Sequence, residues 1–527
     1  MKFNRAATRL ALFLMTIIMV FGLASCGRTP EASTVSGSSS TNPSGTGEES
    51  SETNPSKTEG TTSALGSSKG TTEKSASSTT TSSGQVWGKR PSSTNQNYPA
   101  VIDMKGATLT LGVKDEKSFG NGKLGDSDSG DKWIAWRKQF EKTFNCKLVN
   151  TTVSSYTLYD SIATKLLSGD KVADVITMQL FDVEAFRHAG LLQSLQSIPT
   201  LNLNHKNVNQ NMVDNFTFSG KSYLYSYGNN IPEVFGLYFN RDMIKELNLT
   251  EPYELVRQKK WTWAEFSKMC EAAYKDLNGN NKIDSNDRFG AYIGNDVPRG
   301  SLRASGVQVI SYNNGSFSYA FNTSKTLSYL SQIKTTVNKG SAIMSTADIT
   351  HVKAQTKFVK KQLLFCVQDS KIKSVDDHVF WDIDFDFGFL PVPTFEAGTA
   401  YSNTCSDWLG GFCVPVNTAQ NQYIGYLLNS IADMTQSMAA QEKADLIRYY
   451  GGGTGGKETY EIYKSFDSVV RPDLYCWQIQ LKDLYTLTFD NMLYDKSVTA
   501  KAYIDQIDSS MKNAVEDYYS KDPDLIS

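Results

Sequence analysis

An α/β fold of two lobes is predicted, because strands alternate with helices along the first part of the globular chain and because that part is too long for one core. Between Ala107 and Leu192 three short apolar strands are each followed by a helical stretch, the pattern of βαβ units in an open parallel sheet. About 430 of the 527 residues follow the last low-complexity stretch, more than a single hydrophobic core usually organises. Ala107-Thr-Leu-Thr-Leu-Gly-Val113 alternates as a half-buried strand does, and the polar run Lys114 to Asp131 follows it. Asp131 is placed to cap an amphipathic helix through Phe144, with Trp133, Trp136, Phe140 and Phe144 at helical spacing. Lys147 to Val153 reads as a second strand, and a helix containing Ile162, Leu166 and Leu167 stops at Gly169. Ala173 to Met178 is a buried strand leading into a helix that ends at Gly190. Ligands of such sheets sit beyond the carboxyl ends of the strands. That rule nominates Asp115 and Glu116 above the first strand, and Gln179, Phe181 and Asp182 above the third.

The chain begins with Lys2, Arg5 and Arg9, an apolar stretch from Leu10 to Leu23, and then Ala24-Ser25-Cys26. This is the layout of a secretory signal peptide, and a Cys at the cleavage junction resembles a bacterial lipobox. Residues 1–25 are then the signal peptide, and Cys26 becomes the lipidated first residue, a palmitate-type anchor on the outer face of the cell membrane. A plain transmembrane anchor is the alternative, but an apolar run of about 14 residues is short of the ~20 that a spanning helix needs. Two acyl chains hold where one is marginal. About half of residues 31–90 are Ser or Thr, and no aromatic residue lies between Cys26 and Trp87. Such a stretch cannot bury enough apolar surface to order itself. Residues 26–97 are therefore expected to be a disordered linker with a mean reach on the order of 40 Å. The globular part runs from about 98 to 527.

The net charge of −2, without a large basic block, argues against nucleic acid as a partner. The 26 Tyr and 8 Trp suit a polar ligand held by ring faces, and equally an ordinary large core. Of the cysteines after Cys26, none forms a C-x-x-C pair, which argues against a zinc cluster or redox motif. Export permits disulfides, Cys405 and Cys413 being the nearest pair, while Cys146, Cys270 and Cys366 sit in apolar-periodic segments as buried thiols would.

Further along, Glu233-Val-Phe-Gly-Leu-Tyr-Phe-Asn240-Arg-Asp242 is followed about 20 residues later by Trp261-Thr-Trp-Ala-Glu-Phe266. A strand ending in Tyr-Phe-Asn-Arg-Asp, a short helix, and Trp-Thr-Trp opening another resembles the extracellular solute-binding proteins of ABC sugar importers. Gly169 to Leu195, Trp381 to Pro393, and Gly410 to Val416 with the helix Tyr423 to Met434 are similar to theirs in the same order. The segment Phe365-Cys-Val-Gln368-Asp369 departs from their usual Gly-Lys-Ala-Ala-Met wording, and Asn417 stands where they commonly have Ser-Lys. The resemblance implies a two-lobed periplasmic-binding-protein-like type II fold, with lobe one at about 105–235 and 405–440 and lobe two at about 236–404 and 441–527. It implies an interlobe hinge and a ligand cleft, a carbohydrate ligand, ABC permease subunits as partners, a monomer, and no catalysis. Tyr227 and Trp408, just before the two crossings, would face the cleft, and Glu233 falls where relatives with a maltodextrin-type site place a cleft glutamate. Two rival readings remain: a cell-surface glycoside hydrolase or lyase using paired carboxylates, and a surface sensor or adhesion protein without a transport role.

Asp276, Asn278, Asn280, Asp284 and Asp287 place oxygens at positions 1, 3, 5, 9 and 12 of a twelve-residue loop, and Lys282 at position 7 offers its backbone carbonyl. That is the spacing of a calcium loop, expected to hold a structural Ca²⁺ away from the solute. Asn281 replaces the turn Gly at position 6, a substitution that Asn's tolerance of left-handed φ allows. Asp287 replaces the longer Glu, and Ile283 at position 8 is expected to pin the loop to the core. Without a metal the same stretch is a polar Asn- and Gly-rich loop, and a dockerin-like interaction module would need a second copy.

Gly451 to Lys457 fits the spacing of a phosphate loop, but Glu458 stands where Ser or Thr must meet Mg²⁺, and a helix precedes it. A flexible loop is expected there. Asp382, Asp384 and Asp386 alternate with apolar residues along an expected strand and read as its solvated face. His188, His205, His351 and His378 lie far apart with no catalytic context.

Overall fold

The computed structural model describes residues 100–125, 127–153, 159–226, 234–294, 296–313, 316–344, 351–369, 383–402, 410–450, 453–467 and 489–524. The chain divides into two compact units, residues 1–82 and 83–527. The first lies outside the described residues, with Cys26 and most of the linker, and the second carries everything below.

In lobe one, β1 (Ala107–Val113) pairs in parallel with β2 (Cys146–Thr152) and β3 (Val175–Gln179). The register sets Leu111 opposite both Asn150 and Val175. Alternation in β1 buries Leu109, Leu111 and Val113 on one face, which is why the strand was legible. Helix α1 (Asp128–Phe144) follows β1. Ser127, not Asp131, caps it by accepting the Gly130 N–H. Asp131 lies in the first turn, where a carboxylate suits the helix dipole, and it accepts the Gly125 N–H. A ladder of rings from Trp133 through Trp136 and Phe140 to Phe144, with centroids 4.6–5.6 Å apart, lines its inner side. A π-turn (Tyr159–Ala163) leads into α2 (Thr164–Leu167), and α3 (Leu180–His188) follows β3 directly. Helix α4 (Gln210–Asn215) and the hairpin β4 (Thr217–Phe218) and β5 (Lys221–Ser222) complete this run.

Lobe two opens with β6 (Phe235–Asn240). Asn240 ends the strand and caps α5 (Arg241–Glu246) by accepting the Met243 N–H at 2.8 Å. Helix α6 (Pro252–Arg257) has Pro in its first turn, and Thr262 caps α7 (Trp263–Ala273). Trp261 and Trp263 flank that cap, both essentially fully buried. Their ring N–H groups donate to the Pro391 carbonyl and the Thr336 hydroxyl. Trp-Thr-Trp is thus a packing device and not a sugar platform. The chain continues through β7 (Phe289–Tyr292), α8 (Asp296–Ala304), the hairpin β8 (Ile310–Asn313) and β9 (Ser316–Tyr319), α9 (Ser324–Asn338), α10 (His351–Val359), β10 (Leu363–Asp369) and β11 (Phe387–Leu390). The second sheet has the order β11-β6-β10-β7, with β6 antiparallel to both of its neighbours. Strand β11 starts at Phe387, after the acidic approach. Asp384 and Asp386 there are exposed and paired with Lys361 and Lys245, while Asp382 lies outside the described residues.

Strand β12 (Gly410–Cys413) returns to lobe one and joins β3 in antiparallel fashion, giving the order β12-β3-β1-β2. Helix α11 (Asn421–Tyr449), about 44 Å long at 1.5 Å per residue, then leaves it. Ile424, Leu427, Leu428 and Ile431 are buried in the lobe-one core, Leu446 is buried in the core that runs through lobe two, and no described side chain from Gln436 to Asp445 is buried. The helix itself links the lobes. Contrary to the loop expected at the glycine run, α12 (Gly453–Asp467) begins inside it. The reason is packing: a Cβ on Gly456 would lie 2.1 Å from the Ile447 carbonyl, so glycine lets α12 sit against α11. Helix α13 (Ala500–Ser520), capped by Thr499, ends the described chain but for a short tail. Among the described residues no helix is long and apolar enough to cross a membrane. Cys146, Cys270, Cys366 and Cys413 are free thiols, which removes Cys413 as a disulfide partner for Cys405.

Candidate ligand cleft and cation loop

The carboxyl ends of β1, β2 and β3 lie along one edge of the lobe-one sheet, and β12 enters there because Gly410 pairs with Gln179. In lobe two, β6 enters at Phe235 opposite Asp369, the carboxyl end of β10. The chain passes between the lobes from Ser226 to Val234 and from Ser402 to Gly410. From Ser226 to Val234 the chain can reach no more than about 30 Å at 3.8 Å per residue. The entry edge of lobe two is thus tethered within that distance of the lobe-one strand ends.

The loop above β1 is held by its backbone. Asn150 donates to the carbonyls of Glu116 (2.8 Å) and Ser118 (2.7 Å), and Arg137 donates to that of Phe119. Phe119 adopts φ +52° and Gly120 φ +78°, and a Cβ on Gly120 would come within 2.3 Å of the Trp133 carbonyl. The Phe119 ring packs against Trp133 and against Phe412 of β12, at 5.3 and 5.2 Å. This leaves the exposed side chains of Asp115 and Glu116 on a fixed backbone at the cleft edge.

Gln179 and Asp182 flank the turn from β3 into α3, 9% and 7% exposed. Gln179 Oε1 and Asp182 Oδ2 are buried without a hydrogen-bond partner. Burial raises the Asp182 carboxyl to about 7, so at neutral pH its ionised form is held at a cost. The thiol of Cys413 is pushed upward by burial first and by the Asp182 charge second. In lobe two, Gln368 stands at the carboxyl end of β10, opposite Gly236, with Nε2 buried and making no hydrogen bond beyond a weak interaction with the Cys366 thiol. Buried polar atoms are normally satisfied; these three stand at strand ends, while others such as Ser301 Oγ and Gln355 Oε1 lie elsewhere in the fold. Gln368 was not nominated from sequence; its signal was a lone amide closing the apolar run Leu363 to Val367. Tyr227, Glu233 and Trp408 lie outside the described residues.

The sequence profile of the bacterial extracellular solute-binding proteins matches residues 126–422, more than half of the chain. The chain belongs to that family. It is accordingly a binding protein and not an enzyme. No curated protein is similar to this solute-binding protein in sequence. Its fold is shared with solved structures. An ABC substrate-binding protein from Listeria monocytogenes in complex with cycloalternan is 15% identical, with a TM-score of 0.52, over 79% of this chain and 99% of that one. An extracellular solute-binding protein from Staphylococcus aureus in complex with maltose is 11% identical, with a TM-score of 0.56, over 78% and 98%. The cyclic α-maltosyl-1,6-maltose binding protein from Arthrobacter globiformis is 14% identical, with a TM-score of 0.53, over 78% and 100%.

The loop Asp276–Asp287 is a separate feature of this solute-binding protein. A bridge between Lys275 and Arg288 closes it. Asn281 at position 6 has φ +56°, the left-handed turn that a calcium loop needs there. Asp276 accepts the N–H groups of Gly279 and Asn281 at 2.7 and 2.8 Å. Asp287 is fully buried and accepts from Asp284 N–H and the Tyr274 hydroxyl. The Asn278 and Asn280 amides donate to the Asp284 carboxylate at 3.1 and 2.7 Å. The Asn286 N–H and then these amides hold Asp284 below the usual carboxylate range. The oxygens of the same two amides accept the N–H groups of Asn280 and Lys282 at 3.1 and 2.7 Å, so the residue types, their spacing and the left-handed turn are those of a calcium loop, while the side chains here close on one another. Ile283 is the exception: it is 54% exposed and does not pin the loop. No group of three His, Cys, Asp or Glu among the described residues is arranged to hold a metal.

Proposed function

We propose that the chain is the lipid-anchored, extracellular substrate-binding subunit of an ABC importer, that it takes a carbohydrate, an oligosaccharide by preference, and that it delivers it by hinge closure. The observation that carries the ligand class is the set of orphaned polar atoms at the two strand-end edges: acceptors on Gln179 and Asp182 in lobe one, a donor on Gln368 in lobe two. A hydroxyl is both donor and acceptor, so a polyol satisfies both edges at once. A solute bridging the lobes binds the closed state better and shifts the population towards it. Two of the three structural neighbours are in complex with a sugar and the third is a cyclic α-maltosyl-1,6-maltose binding protein, which favours the same class. Asp115 and Glu116 would take further hydroxyls, Tyr227 and Trp408 would stack on sugar faces, and Glu233 would line the cleft. The permease subunits would recognise the closed monomer.

Two experiments test separate parts. Changing Cys26→Ala should leave the protein unprocessed or shed into the medium, with no incorporation of labelled palmitate; equal anchoring with retained label would rule out the lipoprotein reading. Changing Trp408→Ala should weaken saccharide binding tenfold or more, from the loss of roughly 1–3 kcal/mol of stacking and buried area, while the melting temperature of the empty protein stays put. Lost stability with intact affinity would instead make Trp408 a core residue. The loop Asp276–Asp287 is proposed to bind Ca²⁺ through Asp276, Asn278, Asn280, the Lys282 carbonyl, Asp284 and Asp287, as a structural site in lobe two.

A further inference from the structure

Helix α13 belongs to lobe two by its packing. Tyr519 stacks on Phe317 of β9 with centroids 3.8 Å apart and planes at 10°, and Tyr503 meets Phe321 edge-on. Its last turn and the tail behind it nevertheless dock on lobe one. Arg187, in the last turn of α3, is 1% exposed, and all five of its N–H donors are used. Nε and one Nη2 hydrogen go to Glu184 at 2.8 and 2.6 Å. The others go to Asp522 at 2.8 and 2.7 Å and to Asp524 at 3.0 Å. Asp524 also accepts from the Tyr223 hydroxyl at 2.8 Å and from Lys221 at 3.1 Å, both on the lobe-one side. His188 stacks on Tyr518 at 3.8 Å, Tyr518 donates to Glu184, and the Arg187 guanidinium sits 4.0 Å over the Phe218 ring.

A bidentate, fully desolvated Arg–carboxylate cluster is a geometrically demanding contact. Covalent connection of the lobes needs none of it, since the chain already passes between them from Ser226 to Val234, from Ser402 to Gly410 and through α11. We infer that the chain's C-terminal tail is an interlobe latch: Asp522 and Asp524 bolt the last helix of lobe two to Arg187 of lobe one and so restrict the range of hinge motion. The latch acts on the same short helix as the candidate ligand group, because Asp182 opens α3 and Arg187 stands five residues, about 8 Å, further along it. Solute engagement at one end of α3 and tail docking at the other are thereby coupled, and coupling of this kind is reciprocal. The inference rests on the reading of the chain as a two-lobed binder that closes, but not on which solute it takes.

The test is single-molecule energy transfer in the full chain without solute, with dyes on non-natural residues at the exposed positions Lys142 in lobe one and Lys268 in lobe two. The unaltered chain should show one narrow transfer peak. A chain ending at Lys521, in which Arg187 keeps its Glu184 partner, should show a peak at least twice as broad. A superimposable peak in the shortened chain overturns the latch. If the shortened chain does not fold, Asp524→Asn decides the matter, because both Asp522 contacts remain: a smaller broadening supports the latch and an unchanged peak overturns it. Adding neutral, acidic and amino oligosaccharides in turn to the unaltered chain separates this from the solute reading: failure to bind any of them contradicts the sugar and leaves the solute-free comparison standing.

Discussion

Asp182→Asn is expected to raise the melting temperature of the empty protein at pH 8, with the gain shrinking towards pH 4, and to weaken saccharide binding by roughly ten- to a hundredfold. The first effect follows from burial. The folded-state value of about 7 lies above the ordinary 3.8. Between those values the folded protein holds a proton that the unfolded chain has lost, so stability falls as pH rises through that window and stays low above it. At about 1.4 kcal/mol per unit the ionised carboxylate costs the empty protein on the order of 4 kcal/mol. An amide carries no charge, although its own unmet N–H hydrogens offset part of the gain. The second effect follows from the orphaned Oδ2. A sugar hydroxyl donating to an ionised carboxylate contributes roughly 1.5–3 kcal/mol, and that bond favours the charged form. Binding near pH 6 should therefore release a proton, seen in calorimetry as a heat that varies with the ionisation enthalpy of the buffer. Identical pH–stability curves for the two proteins would contradict this account of Asp182.

Chelation should have the other large effect. A cation that binds only the folded loop adds RT ln(1 + [L]/Kd), about 2.7 kcal/mol at a hundredfold excess over Kd. EDTA should lower the melting temperature, and Ca²⁺ should restore it. In the double variant Asp276→Ala with Asp284→Ala the response should vanish, and the variant should resemble the chelated protein. Asp276→Ala also removes the acceptors of the Gly279 and Asn281 N–H groups, so its stability is best compared with EDTA present in both samples. No response to EDTA, together with a metal-free elemental analysis, would dismiss the site.

What was legible in the sequence was local. Alternation in Ala107–Val113 and the left-handed Asn281 each announce themselves within a few residues, because backbone periodicity and turn chemistry are short-range physics. Where the local rule failed, a distant partner had overruled it. Glycines at 453–456 read as a loop until the Ile447 carbonyl packs within 2.1 Å of where a Cβ on Gly456 would stand. Asp131 looked like the helix cap because nothing marked Ser127 as the better-placed acceptor, and Ile283 looked like an anchor although the loop turns it outwards. The candidate site was legible only in part. Gln179 and Asp182 followed from the strand-end rule, whereas Gln368 needed the β6–β10 register to place it. The Arg187 cluster could not be read at all, since Asp522 lies 335 residues away in sequence.

The measurement that bears most directly on the central claim is small-angle scattering of a soluble form of residues 98–527, titrated with neutral, acidic and amino oligosaccharides while each saccharide is recovered and analysed. One of them should reduce the radius of gyration, saturating at one molecule per chain, and should be recovered intact. An unchanged radius across the whole series, or steady release of shorter products from the bound saccharide, would contradict a binding protein that closes on a carbohydrate.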